Sequence, residues 1–164
     1  MKKYTYYIPA LLWMGVIFYS SSQPYEDQDL KPTLAKYLDL TFLEPIFDHV
    51  SFVYHQSEVS IASLGIGGFI EFFIRKGAHV TVFLILCLLL YYAFTRTIAS
   101  SRMAVLFAFF STILYAIFDE WHQGWTPNRT PYIGDIFLDG IGAIIAVLII
   151  SILRIIQHRT KIMH

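Results

Sequence analysis

The residues best equipped for chemistry lie in a short polar segment, 118–142, that separates two long apolar runs. A plain turn between two membrane helices needs little more than Gly, Asn and Pro. Ionisable groups are costly at membrane depth, and where they occur they usually mark a functional site. Carboxylates beside a histidine can act as general acid and base, or can orient cations that bind an anion. The residues concerned are Asp119, Glu120, His122, Gln123, Arg129, Asp135 and Asp139.

Basic residues at the start of an earlier apolar run supply the complementary charge. In a helix Lys76 and His79 share one face, as do Arg75 and His79, because they are three and four residues apart. Arginine makes bidentate contacts to phosphate, and cations at a membrane surface attract anionic head groups. This group therefore predicts a binding site for an anion.

Helical spacing also predicts which side chains of the acidic segment can meet. Asp119, His122 and Gln123 share one helix face by the three-and-four rule, and Glu120 is rotated away from it. The segment 119–123 is therefore expected to continue the preceding apolar helix and to present three polar side chains together.

The last apolar run begins with two aspartates on one face. Asp135 and Asp139 are four residues apart, and Gly142 and Ala146 continue their stripe deeper into the helix. Small residues let a neighbouring helix approach closely, so this face is expected to point into the bundle. A buried carboxylate needs a cation to offset its cost. We expect Asp139 to lie within salt-bridge range, directly or through a water molecule, of Arg75, Lys76 or Arg129.

These spacings define the candidate site. Acid–base catalysis would use Glu120, His122, Asp135 and Asp139, although no nucleophilic side chain stands out beside them. A metal site built from Asp119, His122, Asp135 or Asp139 is chemically possible, but no spacing here is diagnostic, so no metal and no cofactor are predicted. The predicted ligand-binding residues are Arg75, Lys76, His79, Asp119, Glu120, His122, Gln123, Arg129, Asp135 and Asp139.

Four apolar runs must position these groups. With 56% apolar and 15% charged residues, the chain has the composition of a membrane protein. Runs of about 17–25 apolar residues are long enough to cross a bilayer as helices. The prediction is one all-α domain over 1–164, with an extracytoplasmic segment, 21–68, between the first two helices. The four transmembrane helices are predicted at about 4–20, 69–95, 103–123 and 135–156.

The charge layout predicts the orientation. Basic residues accumulate on the cytoplasmic side of membrane proteins, so both termini are expected in the cytoplasm. Every Asp and Glu then falls on the outer side. The inner segments hold Lys2, Lys3, Arg96, Arg102, Arg154, Arg159 and Lys161.

The outer segment is too long for a simple turn. Apolar residues recur at helical spacing over 30–38 and again over 42–54, which predicts two short amphipathic helices at the membrane interface. A small extracytoplasmic cap over the bundle is the alternative. Gly65, Gly67 and Gly68 predict a hinge into the second membrane helix.

The sequence argues against two further features, a disulfide framework and nucleic-acid binding. The single cysteine, Cys87, lies within an apolar run, so no disulfide framework is expected. The chain carries no basic stripe or nucleic-acid module, so nucleic acid is not an expected partner.

At the polar positions the sequence resembles the VanZ-like family of bacterial membrane proteins. The resemblance spans nearly the whole chain, and its Asp-Glu-x-His-Gln piece is fairly specific. The matching pieces are Ser20-Ser21-Ser22-Gln23-Pro24, Arg75-Lys76-Gly77-Ala78-His79, Asp119-Glu120-Trp121-His122-Gln123, Pro127-Asn128-Arg129, Asp135, and Asp139-Gly140-Ile141-Gly142.

The sequence departs from the family pattern at two positions. Asn128 precedes Arg129 where the family commonly has glycine, and asparagine is the best substitute in a left-handed turn. Phe83 stands where the family tends to have tyrosine, so any role of that hydroxyl is absent or supplied elsewhere. The resemblance implies a multipass membrane protein and a link to teicoplanin resistance, a property of the founding member.

Three functions remain open at this point. The first is binding or handling of an amphiphile at the outer leaflet, such as a lipid-linked cell-wall intermediate or a lipidated glycopeptide. The second is a membrane-embedded hydrolase or transferase acting on a lipid-linked substrate. The third is a structural membrane protein whose outer helices contact a partner protein.

Overall fold

The computed structural model describes residues 3–162 and is mostly helical. Three of its helices are long and apolar enough to cross a membrane: α4 (Ile61–Thr97), α5 (Ser101–Gln123) and α6 (Ile133–Ile162). They correspond to the last three predicted spans. Lys2 lies outside the described residues, and so does the side chain of Lys161.

The first predicted span is a shorter helix in contact with α4 and α5. Helix α1 (Ile8–Ser21) follows a 3-10 turn, Lys3–Tyr7, and has a proline in its first turn where the missing N–H costs nothing. The indole Nε1 of Trp13 donates to the carbonyl of Val82 on α4 at 2.9 Å. The Tyr115 hydroxyl on α5 donates to the carbonyl of Met14 at 2.6 Å.

The closest helix crossing lies between α4 and α6, at Gly142. A Cβ atom placed there would overlap the carbonyl oxygen of Val80 and would lie 2.9 Å from the amide nitrogen of Leu84. Ala143 and Ala146 are fully buried in the same interface. The predicted small-residue stripe is thus confirmed as the surface on which α4 packs.

The outer segment between α1 and α4 is folded from short elements. The predicted helix over 30–38 is present as α2 (Lys31–Tyr37), and a shorter helix follows as α3 (Glu44–Phe47). The 3-10 turns Glu26–Gln28 and Thr41–Leu43 precede them.

The predicted second amphipathic helix over 42–54 is wrong beyond α3, because the chain forms a β-hairpin there. Strands β1 (Ser51–Tyr54) and β2 (Ser57–Ser60) pair antiparallel, with Tyr54 opposite Ser57. The two turn residues, His55 and Gln56, have φ of 47° and 64°, as the tightest hairpin turns require.

The hairpin leads directly into α4. The Ser60 hydroxyl accepts a hydrogen bond from the amide of Ser63, which caps the helix. Gly65 has a φ of 66° and interrupts the helical backbone, so the predicted glycine hinge is present at this residue. The hairpin and the first turn of α4 are thereby set at an angle to the rest of that helix.

The two ends of the bundle differ in charge. At the end opposite the polar segment lie Lys3, Arg96, Arg102 and Arg154, with the Arg154 guanidinium donating to the Ser101 hydroxyl at 2.5 Å. The acidic side chains of α4, α5 and α6 all lie at the other end, where the outer segment covers the helices.

Candidate functional site

Two pairs of charged side chains link α4 to α6 in successive layers. Lys76 Nζ lies 2.5 Å from Asp135 Oδ1, and His79 Nδ1 lies 3.0 Å from Asp139 Oδ1. The partners are 59 and 60 residues apart in the sequence, because α5 returns the chain and lets α4 and α6 run in the same direction. One helical turn therefore separates the two pairs on both helices.

The predicted direct ion pair of Asp139 with a lysine or arginine is wrong. His79 occupies that place, and Lys76 pairs with Asp135 one turn nearer the outer end. Asp139 is 1% exposed and faces the bundle, as its small-residue stripe predicted. Its second oxygen makes no hydrogen bond to residues 3–162.

Arg75 pairs with Glu71, a residue that the sequence analysis did not single out. Glu71 is 1% exposed, and its Oε1 accepts from Arg75 Nε at 3.0 Å and Nη2 at 2.6 Å. The same oxygen accepts from the amide of Leu30 at 3.1 Å, which ties the outer segment to α4. The spacing of four residues between Glu71 and Arg75 is the signal that could have revealed the pair.

Arg129 carries a positive charge without a counter-ion in direct contact. Its Nη1 donates to Gln123 Oε1 at 2.9 Å and its Nη2 to Gln28 Oε1 at 2.6 Å, and both acceptors are neutral. Within residues 3–162 no carboxylate oxygen lies within 4.0 Å of its nitrogens, and its Nε is buried without an acceptor. Burial, followed by the charge of Arg75, lowers the pKa of Arg129.

The turn that carries Arg129 has the predicted left-handed residue. Asn128 has a φ of 60°, and its amide Nδ2 donates to Glu26 Oε1 of the outer segment at 2.7 Å. Asparagine tolerates this backbone conformation better than other non-glycine residues do. The departure from the family pattern at this position therefore preserves the turn.

The polar residues at the end of α5 point in three directions. Asp119 Oδ2 accepts from Gln123 Nε2 at 3.0 Å, so these two share a face as predicted. Glu120 is rotated away and accepts from the amide of Tyr132. His122 faces α1, where its ring stacks on Phe18 with 4.0 Å between centroids and its Nδ1 lies 3.5 Å from Ser21 Oγ. Of the four acid–base candidates, only Asp135 and Asp139 share a helix face.

The hairpin contributes a tyrosine to the site. The Tyr54 hydroxyl donates to Asp135 Oδ1 at 2.6 Å, and its ring lies 4.4 Å from Lys76 Nζ. Burial and this hydrogen bond raise the pKa of Tyr54. The outer segment thus closes over the charged groups, as the alternative of a cap predicted.

A cavity of about 410 Å³ lies among α1, α4, the end of α5 and the turn before α6. Its outer part is polar, and its inner part is lined by apolar side chains such as Ile17, Val82 and Phe83. Glu120, His122 and Asp139 do not line it. The predicted ligand-binding residues that do line it are Arg75, Lys76, His79, Asp119, Gln123, Arg129 and Asp135.

Exposed residues of α1 and α4 line part of the cavity. Val16 of α1 and Ala78 of α4 both line it, and both are exposed on the outside of the bundle. One turn of α1 before Val16, the hydrogen bond from Trp13 to Val82 closes the two helices together. These exposed lining residues lie at the same end of α1 and α4 as the charged pairs.

The chemistry available in the cavity is that of charge and hydrogen bonding. Within the described ranges, no three His, Cys, Asp or Glu side chains are placed to hold a metal ion. The basic groups can bind an anion, and the carboxylates can hold those groups in place.

One protein family matches the chain. The sequence model of the VanZ/LLP1 family matches residues 6–154, nearly the whole chain. Neither a curated protein nor a solved structure matches the chain.

Proposed function

The chain belongs to the VanZ/LLP1 family, and from this premise we propose that it binds the head group of an anionic amphiphile in the cavity. The head group carries a phosphate, and the apolar tail leaves between α1 and α4. A lipid-linked cell-wall intermediate fits this description, and a lipid-tailed glycopeptide such as teicoplanin is a second candidate that would offer a carboxylate in place of the phosphate. Binding of the latter would connect this member to resistance.

The observation that carries the proposal is that the guanidinium of Arg129 has no carboxylate in direct contact within the described residues. A guanidinium in a half-buried site is stabilised far more by an anion than by the two amide oxygens it now contacts. Arg75 and Lys76 are already paired with carboxylates, so of the three described cations that line the cavity Arg129 has the strongest need of an anion. A single anionic group would complete the pairing.

Asp119 limits which anions fit. One of its oxygens is bonded to Gln123, and the other is buried without a hydrogen bond to the described residues. A buried carboxylate oxygen without a donor costs about 1–3 kcal/mol. An anion beside it would be repelled unless the ligand also brings an N–H or O–H group. The preferred head group therefore combines a phosphate with a donor such as a sugar hydroxyl or an amine.

The apolar residues that line the cavity suit the tail of an amphiphile. Val16, Ile17 and Val82 provide an apolar path from the cavity to the outside of the bundle. Burying a methylene group along such a path contributes about 0.8 kcal/mol. A soluble anion would use the charges but not this path, which favours an amphiphile.

We also propose four spans with both termini in the cytoplasm of a bacterial cell. The 14 residues of α1 and the five of the preceding 3-10 turn together extend roughly 31 Å, close to the thickness of the hydrocarbon layer. Arg96, Arg102 and Arg154 lie at the end assigned to the cytoplasm, as the positive-inside rule expects.

Labelling of introduced cysteines tests this orientation. Asp27→Cys, on the outer segment, is expected to react with a membrane-impermeant maleimide in intact cells. Arg102→Cys is expected to react only after the cells are permeabilised. The unaltered chain is the control, because its single cysteine, Cys87, is fully buried. The opposite labelling pattern would contradict the proposed topology.

Arg129→Met is expected to weaken binding of a phosphate lipid by 10- to 100-fold, because a charge-assisted hydrogen bond contributes about 1.5–3 kcal/mol. Native mass spectrometry of the purified protein measures this with undecaprenyl phosphate and with phosphatidate. Each lipid is compared with its phosphate-free counterpart, undecaprenol or diacylglycerol. Arg129→Lys should fall in between, because it keeps the charge but loses the bidentate geometry.

Arg102→Met is the matched control for that experiment. It removes the same charge from an exposed position at the other end of the bundle, so binding should not change. Equal binding of each phosphate lipid and its phosphate-free counterpart by the unaltered protein would overturn the proposed function.

A second candidate function is hydrolysis of a lipid-linked substrate, which the pair of His79 and Asp139 favours. With Nδ1 donating to Asp139, the Nε2 atom can accept a proton from water, and the ring lines the cavity. Release of inorganic phosphate from undecaprenyl diphosphate that His79→Asn abolishes, with lipid binding retained, would support catalysis. Recovery of unchanged lipid from the unaltered protein would contradict hydrolysis and would leave binding as the proposed function.

A further inference from the structure

The amide side chain of Gln28 stands between two guanidinium groups at the outer part of the cavity. Its Oε1 accepts from Arg129 Nη2 at 2.6 Å and from Arg75 Nη1 at 3.5 Å. Its Nε2 donates to the carbonyl of Ser20 on α1 at 2.6 Å. Two positive groups therefore converge on one neutral oxygen.

Within the described part of the chain, the two guanidinium groups at this point have only one carboxylate in direct contact between them. Arg75 has Glu71 as its counter-ion, whereas Arg129 has only Gln28 and Gln123 as acceptors. An amide oxygen carries only a partial negative charge, and an anionic oxygen at the same place would make a stronger, charge-assisted hydrogen bond to each guanidinium. The position is thus better suited to an anion than to the group that now occupies it.

We propose that Gln28 Oε1 occupies the anion subsite, and that a phosphate oxygen of the ligand replaces it between Arg75 and Arg129. This inference rests on the proposed function and names the residue that competes with the ligand. Gln28 would then set the affinity, because its side chain must leave before the phosphate can contact both arginines.

The surroundings of Gln28 allow such a displacement. It belongs to a 3-10 turn of three residues, Glu26–Gln28, whose other two side chains are exposed. Its backbone carbonyl also accepts from Arg75 Nη2, so the turn can stay attached while the side chain rotates away. The amide can then hydrogen-bond to water instead of Ser20.

Gln28→Ala and Gln28→Glu are expected to change phosphate binding in opposite directions. The alanine variant removes the competitor and should bind undecaprenyl phosphate 3- to 10-fold more tightly. The glutamate variant supplies a built-in anion to Arg129, so it should bind at least 10-fold more weakly and unfold at a higher temperature. Binding of undecaprenol should change in neither variant, because it has no phosphate.

The same two substitutions at Gln23 are the matched control. Gln23 lies on the same outer segment, donates to the carbonyl of Tyr19 and does not line the cavity, so its variants should bind like the unaltered protein. Gln28→Glu remains informative should Gln28→Ala fail to fold, because it retains an acceptor for Arg129.

The result that overturns the inference differs from the one that overturns the proposed function. A purely structural role of Gln28 predicts unchanged or weaker phosphate binding by Gln28→Ala, together with a normal loss in Arg129→Met. That combination would contradict the role of Gln28 in the anion subsite but not the proposed function. Absence of any phosphate preference in the unaltered protein would remove both.

Discussion

Replacing Gly142 by alanine is expected to lower the free energy of unfolding by about 3 kcal/mol, at the upper end of what an added methyl group costs in a packed core. The obstacle is the backbone of α4 at Val80 and Leu84, which cannot rotate aside as a side chain could. Helices α4 and α6 would have to separate and lose their buried contacts. Thermal unfolding of the purified protein and its abundance in membranes measure the loss.

Gly77→Ala is the control for this prediction. Gly77 lies on α4, and a Cβ atom placed there meets no atom within 4 Å. Because alanine favours helix over glycine by about 1 kcal/mol, this variant should be as stable as the unaltered protein or slightly more stable. Equal stability of the Gly142 and Gly77 variants would show that the helices are not packed as closely as described.

Glu71→Ala is expected to cost about 3–5 kcal/mol, because removing one partner of a buried ion pair leaves the other uncompensated. Arg75 would lose its counter-ion, and the amide of Leu30 would lose its acceptor. The outer segment should then detach from α4. Trypsin, which cleaves after the exposed Lys36 but not at the Lys31–Pro32 bond, should cut the variant many times faster than the unaltered protein.

Two further variants separate the causes of that effect. Glu71→Gln retains an acceptor for Leu30 but not the charge, so its stability should be intermediate. Glu44→Ala removes an exposed carboxylate from the same segment and should leave the cleavage rate unchanged. Slow cleavage of Glu71→Ala would mean that other contacts hold the outer segment in place.

The helices and their inward faces could be predicted because membrane burial leaves a strong local signal. The apolar runs locate α4, α5 and α6, and the small residues below Asp139 identify the face that meets α4. The left-handed backbone of Asn128 also follows from its residue type. Each of these properties depends on neighbours within a turn or two of the chain.

Contacts between separate elements could not be predicted in the same way. Spacing along one helix shows which side chains share a face, but not how deep that face lies against the next helix. The vertical offset of α4 and α6 decides that His79, and not Lys76, meets Asp139. Glu71 was not predicted, because apolar residues surround it in the sequence and the segment resembles the apolar start of a membrane helix.

The hairpin lacked the usual sequence signal. Tight two-residue turns favour Asn-Gly or Asp-Gly, and this one is built from His55 and Gln56. Val50 and Tyr54 also fit a helical spacing with Phe47, so periodicity alone could not separate the two structures. Gln28 reaches the cavity, and Tyr54 reaches Asp135, only because the outer segment folds back over the helices.

The exposed position of Val16 and Ala78 beside the cavity has a consequence for the proposed ligand. On the proposed orientation, an amphiphile in the outer leaflet would diffuse in two dimensions past these residues, so its effective concentration would follow its mole fraction among the lipids. Even a scarce amphiphile is thereby presented at a far higher local concentration than it could reach in water. A weak intrinsic affinity is then enough for high occupancy, and rapid exchange with the bilayer follows from that weakness.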